Sequence, residues 1–290
     1  MNFLGLKDQY CDSSRSHFVI LPIPLERTTS YGKGAKFGPD AIIKASNYVE
    51  LFDEVLGQKT YKSGVYTADP VVFKGLRKEE VFEKIESSVS KFVSDDKFVF
   101  CLGGEHSITA AVVSAYKKKW TDFSVLHLDA HADLRDSYEG DKFSHASVMR
   151  RVSELCPIVS VGIRSISEEE VEWLPKSNID IFWAHRIFRE AKDKKKISWI
   201  DKVVKKLKKN VFISLDVDVF DPSIIPSTGT PEPGGLDWYQ VTGLLEAVIN
   251  KRNVVGCDVL ELAPIDGLDA PNFLVAKLIY RIMGLVDRKR

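Results

Sequence analysis

Three short segments hold the residue types that bind divalent metals: residues 103–107 (Gly-Gly-Glu-His-Ser), 129–133 (Asp-Ala-His-Ala-Asp) and 216–218 (Asp-Val-Asp). Their imidazoles and aspartates suit divalent ions such as manganese, and none of the three segments offers a thiolate. Two ions held about 3.5–4 Å apart can share one water and activate it near neutral pH. The pattern therefore predicts a two-metal hydrolase, with the candidate ligands His106, Asp129, His131, Asp133, Asp216 and Asp218.

The elements that must position these ligands alternate along the chain. Apolar, β-branched runs predict strands at residues 18–23, 98–102, 124–128, 158–162, 179–183, 211–215 and 254–260. Amphipathic stretches predict helices at 39–52, 78–93, 107–118, 145–155, 167–174, 197–208, 238–250 and 272–285. Alternating strands and helices predict an α/β fold whose mainly parallel sheet is covered on both faces. The chain has no repeat, linker or break in composition, so we expect a single domain over residues 1–290.

All three metal segments follow directly on a predicted strand. In open parallel sheets, ligand sites lie beyond the carboxyl ends of the strands, so segments about 25 and 85 residues apart can meet at one edge. Asp129, His131 and Asp133 alternate, so their side chains share one side while the chain stays extended. Burying a carboxylate costs free energy unless the group is paired or bound to a cation. The alternative to a metal site is that these residues are surface acids at the starts of loops. Glycines 103 and 104 allow the sharp turn that brings His106 inward.

Four other polar residues lie near these segments. His127 could itself be a ligand, but it is deeper in its strand, where we expect a hydrogen-bonded core histidine or a partner of a ligand. His145 follows the polar loop 136–144 and could carry a proton near neutral pH, or it could simply begin a helix. Glu261 ends the last strand and could pair with a cationic substrate. The Gly- and Pro-rich loop 226–235 should wall the pocket, and Glu232 within it is assigned no role beyond that of a solvated loop acid.

The composition excludes several classes of protein. The 41 basic and 41 acidic side chains balance, so no net charge draws the chain to nucleic acid or to an anionic membrane. The lysine-rich stretch 192–209 has apolar residues at helical spacing, which predicts a solvated helix face. We see no signal peptide and no apolar run long enough for a membrane span. Scattered cysteines without a CxxC pair argue against disulfides or a zinc–thiolate site, and a cytoplasmic location is the default.

The segments together resemble the ureohydrolases, the family of arginase and agmatinase. The strings Gly-Gly-Glu-His-Ser, Asp-Ala-His-Ala-Asp and residues 214–222 (Ser-Leu-Asp-Val-Asp-Val-Phe-Asp-Pro) occur in the order typical of that family. The likeness extends from residues 28–31 and 36–41 to residues 261–264. It implies a three-layer α/β/α fold, two manganese ions per subunit, and a homo-oligomer that is a trimer or a hexamer.

The resemblance also implies a role for each matching residue. One ion would be held by His106, Asp129, Asp133 and Asp216, and the other by Asp129, His131, Asp216 and Asp218, with Asp129 and Asp216 bridging. Glu261 matches the acid that faces the guanidinium group, and His145 matches the histidine with a proton-transfer role. Asp133 would also hydrogen-bond the nucleophile during catalysis. Thr230 matches a threonine of the loop near the guanidinium.

Details within the family favour an agmatinase-type enzyme. Glu105 replaces the aspartate usual in arginases, and the strings at residues 161–165 and 230–235 are common in agmatinases. The acidic loop 134–144, with Asp136 and Glu139 as candidate substrate-binding residues, suits a substrate whose far end is an amine. Arg135 in the same loop could instead hold a carboxylate.

The resulting hypothesis is hydrolysis of agmatine to putrescine and urea, a step of polyamine biosynthesis. The same chemistry on N1-aminopropylagmatine, arginine or guanidinobutyrate is the nearest alternative. A metal-dependent deacetylase and a non-catalytic binding protein of the same fold are the alternatives from other classes.

Overall fold

The computed structural model describes residues 1–190 and 198–290, in which eight strands form one sheet. Every strand pair is parallel, and the spatial order is β2-β1-β3-β8-β7-β4-β5-β6. The strands are β1 (Phe18–Ile23), β2 (Val65–Thr67), β3 (Phe98–Gly103), β4 (Phe123–Leu128), β5 (Ile158–Ile163), β6 (Ile179–Trp183), β7 (Asn210–Asp216) and β8 (Asn253–Leu260).

Helices cover both faces of this sheet. In the described residues they are α1 (Gly38–Ser46), α2 (Lys78–Ser94), α3 (Thr109–Lys117), α4 (Val148–Ser153), α5 (Glu168–Trp173), α6 (Ala184–Glu190), α7 (Trp199–Lys206), α8 (Trp238–Lys251) and α9 (Ala270–Arg288). One hydrophobic core packs α1, α7, α8 and α9 against the sheet, and a second packs α2, α3 and α4 against the opposite face. The predicted α/β/α architecture with a parallel sheet is confirmed.

The predicted strands agree with the structure to within one residue at each end. Strands that are buried on both faces read as continuous apolar runs, and six of these seven are almost wholly buried. The sequence reading missed β2, an edge strand of three residues, and α6, which follows directly on β6. Both elements are too short to show a recognisable hydrophobic periodicity in the sequence.

Helices α1 and α4 are each five residues shorter than predicted, the largest shortfalls among the described helices. Helix α1 ends at Ser46 rather than at residue 52, because the side-chain amide of Asn47 donates to the carbonyls of Ile43 and Lys44 and so ends the helix. The predicted helix 145–155 opens with a 3₁₀ turn, and α4 covers only Val148–Ser153.

The lysine-rich stretch is only partly described. Residues 191–197, including the first residue of the predicted helix 197–208, lie outside the described part of the chain. In α7, Val203 and Val204 are buried while Lys205 and Lys206 are exposed, as an amphipathic helix on the surface requires. Within the described ranges, none of the helices is long and apolar enough to cross a membrane.

Candidate metal centre and active site

The candidate ligands meet at the carboxyl edge of four adjacent strands, β3, β8, β7 and β4. His106 lies in the turn after β3, and Glu261 follows β8. Asp216 is the last residue of β7, and Asp129 follows β4 directly. Neighbouring parallel strands therefore bring together residues that lie up to 155 positions apart in the chain.

A first cluster of donor atoms surrounds His106. Its Nδ1 lies 3.0 Å from Asp129 Oδ2, 3.3 Å from Asp133 Oδ2 and 3.3 Å from Asp216 Oδ2. Despite these distances, this buried nitrogen makes no hydrogen bond of acceptable geometry within the described chain. Ligands at adjacent corners of an octahedron with bonds of about 2.1 Å would be about 3.0 Å apart. Each of the three distances from Nδ1 is close to this spacing, as expected for neighbouring ligands of one cation.

A second cluster adjoins the first through Asp129. His131 Nδ1 lies 2.9 Å from Asp218 Oδ2 and 3.6 Å from Asp129 Oδ1, so the two oxygens of Asp129 face different imidazoles. Asp129, His131 and Asp218 offer donor atoms close enough to hold one ion. His106, His127 and Asp129 form another such group among the described residues. This arrangement suits two ions that share the carboxylate of Asp129.

The electrostatics of the cluster also favour a cation. Burial raises the pKa of Asp216 well above its usual value, and the charges of Asp218 and Asp129 raise it further. Burial opposes a charge on His131, but Asp218 and Asp129 outweigh it and raise the pKa of this imidazole to about 12. The same crowded carboxylates that draw a proton to His131 would attract a divalent ion.

Buried polar groups orient the candidate ligands through hydrogen bonds. His127 Nε2 lies 2.8 Å from Asp129 Oδ2, and His127 Nδ1 lies 3.0 Å from Ser160 Oγ. This histidine therefore orients an aspartate, as expected for a partner of a ligand. His106 Nε2 lies 3.1 Å from Ser214 Oγ in the same way.

Asp258 was not singled out by sequence reasoning. It lies inside β8 and accepts a hydrogen bond of 2.9 Å from Thr109 Oγ1, which is 3.4 Å from Ser214 Oγ. Burial raises the pKa of Asp258 to about 6. An aspartate within an otherwise apolar strand was the available signal, since such a group is buried only with partners.

A cavity of about 250 Å³ opens over the candidate metal ligands. Glu261, His145 and Thr230 line it together with His106, His131, Asp133, Asp216 and Asp218. The cavity thus brings together the residues predicted for proton transfer and for the guanidinium with five of the six predicted metal ligands, and Asp129 is not among its lining residues. Tyr31, Arg135 and Tyr138 also line the cavity.

Two of the cavity carboxylates sit on left-handed backbone. Asp133 has φ 55° and Glu261 has φ 63°, values that non-glycine residues adopt only where surrounding contacts enforce them. The backbone N–H of His106 donates to Glu261 Oε1 at 2.6 Å. Burial raises the pKa of Glu261 to about 8. A positively charged group beside Glu261 would offset this cost of burial.

The acidic loop 134–144 does not present its two candidate substrate-binding acids to the cavity. Asp136 and Glu139 are not among the residues that line the cavity. Asp136 pairs instead with Arg151, whose Nη2 lies 3.0 Å away, and Glu139 is exposed. The loop presents Arg135 to the cavity, with its guanidinium 5.5 Å from the ring of Tyr138. A substrate contact by Asp136 or Glu139 stays a prediction.

The loop 226–235 does wall the cavity, through Thr228, Gly229 and Thr230. Asp221 anchors its far end by accepting hydrogen bonds from the backbone N–H groups of Gly234 and Gly235. Hydrogen bonds from Ser223 and from these glycines lower the pKa of Asp221 to about 2.

Arg164 is a second residue whose role sequence reasoning missed. Its guanidinium donates to the backbone carbonyls of Asp218 at 2.7 Å, Phe220 at 3.3 Å and Glu232 at 2.8 Å. These bonds tie the chain after β5 to the metal segment and to the loop that follows it. Five donors in a planar fork make such multiple bonding possible.

We expect Arg164→Lys to lower the free energy of unfolding by about 2–3 kcal/mol, because an ammonium on a flexible stem cannot replace the fork and leaves buried carbonyls unpaired. Denaturant unfolding would measure the change. As a control, Arg186→Lys at an exposed position of α6 should change it by less than about 0.5 kcal/mol. Equal stability of the Arg164 variant and the control would contradict this role.

Comparison with known proteins places the chain in a family. Residues 16–284 match the model described as Arginase family. The chain is 40% identical over 274 residues to the N(1)-aminopropylagmatine ureohydrolase of Synechocystis sp., covering 92% of this chain and 88% of that protein. It is 34% identical over 282 residues to the agmatinase of Pyrococcus horikoshii, covering 96% and 94%. The solved agmatine ureohydrolase of Thermoplasma volcanium has a TM-score of 0.84 at 33% identity, covering 95% of this chain and 91% of that chain.

A parallel sheet between helical layers, with imidazoles and carboxylates at its carboxyl edge, defines an arginase-like α/β hydrolase. The chain belongs to the arginase family, which includes the arginases and agmatinases. The resemblance inferred from the sequence is therefore confirmed.

Proposed function

We propose that this chain is a single-domain, two-metal hydrolase that cleaves the guanidino group of agmatine to release urea and putrescine. The observation that carries the proposal is the position of His106 Nδ1, which faces three carboxylate oxygens at 3.0–3.3 Å without a hydrogen bond in the described chain. Manganese is the proposed metal, because carboxylates outnumber imidazoles in the set. The two ions would be held by His106, Asp129, His131, Asp133, Asp216 and Asp218.

The chemistry divides between the ions and the side chains of the cavity. When bound, a pair of divalent ions activates water for attack near neutral pH. Glu261 would pair with the guanidinium and orient its carbon, and the buried setting strengthens that pair. His145 would move a proton between the cavity and solvent, Asp133 would accept a hydrogen bond from the attacking water, and Thr230 would contact the guanidinium.

N1-aminopropylagmatine is the second candidate substrate. It is favoured by relatives of that name, at 40% identity in Synechocystis sp. and 39% in Thermus thermophilus. Both candidates lack the carboxylate of arginine. Arg135, which lines the cavity, is the reason for also testing arginine and guanidinobutyrate, since its guanidinium could bind a carboxylate.

Urea release by the manganese-loaded protein tests the substrate. We expect kcat/KM for agmatine or N1-aminopropylagmatine to exceed that for arginine and guanidinobutyrate at least tenfold, since a difference of one charged contact is about 1.4 kcal/mol or more. Equal rates with arginine would overturn the substrate choice. Acetate release from an acetylated polyamine would favour a deacetylase, and no turnover of any compound would favour a binding protein. A cytoplasmic trimer or hexamer stays a prediction.

A further inference from the structure

A chain of hydrogen bonds joins Glu105 to His145 through the hydroxyl of Thr28. Thr28 lies 77 positions from Glu105 and 117 from His145, so only the fold brings the three together. Thr28 Oγ1 is 3.1 Å from Glu105 Oε1 and 3.2 Å from His145 Nδ1. The backbone N–H of His145 also donates to Thr28 Oγ1, at 3.0 Å.

The carboxylate of Glu105 accepts from four donors and is only 1% exposed. Its Oε2 accepts from the backbone N–H groups of Arg27 and Thr28, each at 2.6 Å. Its Oε1 accepts from the hydroxyls of Thr28 at 3.1 Å and Ser107 at 2.5 Å. A carboxylate offers about four lone-pair sites and no donor, so these contacts use its whole capacity.

Gly104 lets this carboxylate reach the segment that carries Thr28. A Cβ at position 104 would come within 2.0 Å of the backbone oxygen of Leu25. The backbone N–H of Glu105 donates to that same oxygen at 2.8 Å. The two segments therefore lie in direct backbone contact, which holds Glu105 beneath Thr28.

The acceptor character of Glu105 decides where the hydroxyl proton of Thr28 lies. A hydroxyl has one hydrogen and two lone pairs. If that hydrogen pointed at His145, two acceptor oxygens would face each other at 3.1 Å with no proton between them. The hydrogen therefore points at Glu105, and the lone pairs of Thr28 receive the backbone N–H and the ring Nδ1–H of His145. A neutral His145 then carries its hydrogen on Nδ1, which leaves the lone pair on Nε2.

We propose that Glu105 and Thr28 are positioning residues that fix the ring orientation and the tautomer of His145 for proton transfer. The proposal rests on the proposed role of His145, which lines the cavity beside Asp133. The ring of Tyr138 packs edge-on against the imidazole with centroids 5.5 Å apart, so the ring is held on two sides.

Thr28→Val and Thr28→Ser form the matched pair that tests this arrangement. Valine keeps the branched shape and removes the hydroxyl, whereas serine keeps the hydroxyl. We expect Thr28→Val to lower kcat about 10–50-fold with KM within about twofold, and Thr28→Ser to stay within about twofold of the parent in both. Bound manganese, measured by elemental analysis, should be unchanged in both variants. Wild-type kcat in Thr28→Val, or loss of its manganese, would overturn the proposal.

A double-mutant cycle separates positioning from a general structural role. In a His145→Asn background, Thr28→Val should lower kcat by less than about twofold, because the group that it positions is absent. An additive loss in the double mutant would contradict the proposal.

The tautomer itself can be read without any turnover. Two-bond ¹H–¹⁵N NMR correlations of the histidines should show His145 of the wild-type protein with its hydrogen on Nδ1, and Glu105→Gln should shift part of the population to Nε2–H. A wild-type Nε2–H tautomer would overturn the inference. If the wild-type protein releases urea from none of the tested guanidino compounds, the proposed function is wrong. The NMR spectrum still shows which ring nitrogen of His145 carries the hydrogen.

Discussion

Replacing Asp216 by alanine is expected to lower the rate of metal-dependent urea release by about 10⁴-fold or more, because the variant loses the metal-activated water. This factor corresponds to a loss of over about 5 kcal/mol of transition-state stabilisation. Asp216 Oδ2 lies 3.3 Å from His106 Nδ1, and Asp216 Oδ1 accepts a hydrogen bond from the backbone N–H of Asp218 at 2.9 Å. The carboxylate therefore contacts groups of both clusters. Elemental analysis should show the loss of at least one of two manganese ions per chain.

The fold of the metal-free variant should survive this substitution. Burial and the charges of Asp218 and Asp129 raise the pKa of Asp216, so its carboxylate is costly to hold in the absence of a cation. We expect the metal-free variant to melt no lower than the metal-free parent, while the stabilisation that manganese adds to the parent disappears. Asp40→Ala on α1, with a side chain 68% exposed, is the matched control and should leave urea release within about twofold of the parent. Full activity of Asp216→Ala would contradict the metal assignment.

Glu261→Gln is expected to lower kcat/KM for the guanidino substrate by about 10²–10³-fold while the bound manganese is retained. Glutamine can still accept the hydrogen bond from the backbone N–H of His106, which Glu261 Oε1 receives at 2.6 Å. The substitution therefore removes the negative charge that Glu261 would carry beside a bound guanidinium, with little change of shape. In a buried site, a guanidinium that loses its charged partner also loses its orientation over the reacting water.

Glu232→Gln is the matched control for that charge change. Glu232 Oε1 is 3.9 Å from His131 Nε2, and its side chain is 38% exposed, so solvent screens its charge. We expect kcat/KM of this variant within about threefold of the parent. A larger loss of kcat/KM in Glu232→Gln than in Glu261→Gln would contradict the assignment of Glu261 to the guanidinium. The substrate cation would then pair with Glu232 of the loop instead.

Much of the fold was predictable from the sequence because the sheet is covered on both faces. Strands such as β3 and β7 are buried along nearly their whole length, so they appear as unbroken apolar runs. Strand β2 has three residues at the sheet edge and lacked that signal. The early end of α1 depends on the side chain of Asn47, a local hydrogen bond that a periodic pattern does not encode.

The sequence by itself determined the residue types of the candidate metal site and their placement at strand ends, because acids and histidines after apolar runs are costly to bury without a cation. Only the tertiary structure decided which groups support them. Asp136 pairs with Arg151 and does not line the cavity, and the contact of Thr28 with Glu105 spans 77 positions. Such contacts follow from the order of strands in the sheet and the path of the loops between them. Neither leaves a pattern in the local spacing of residues.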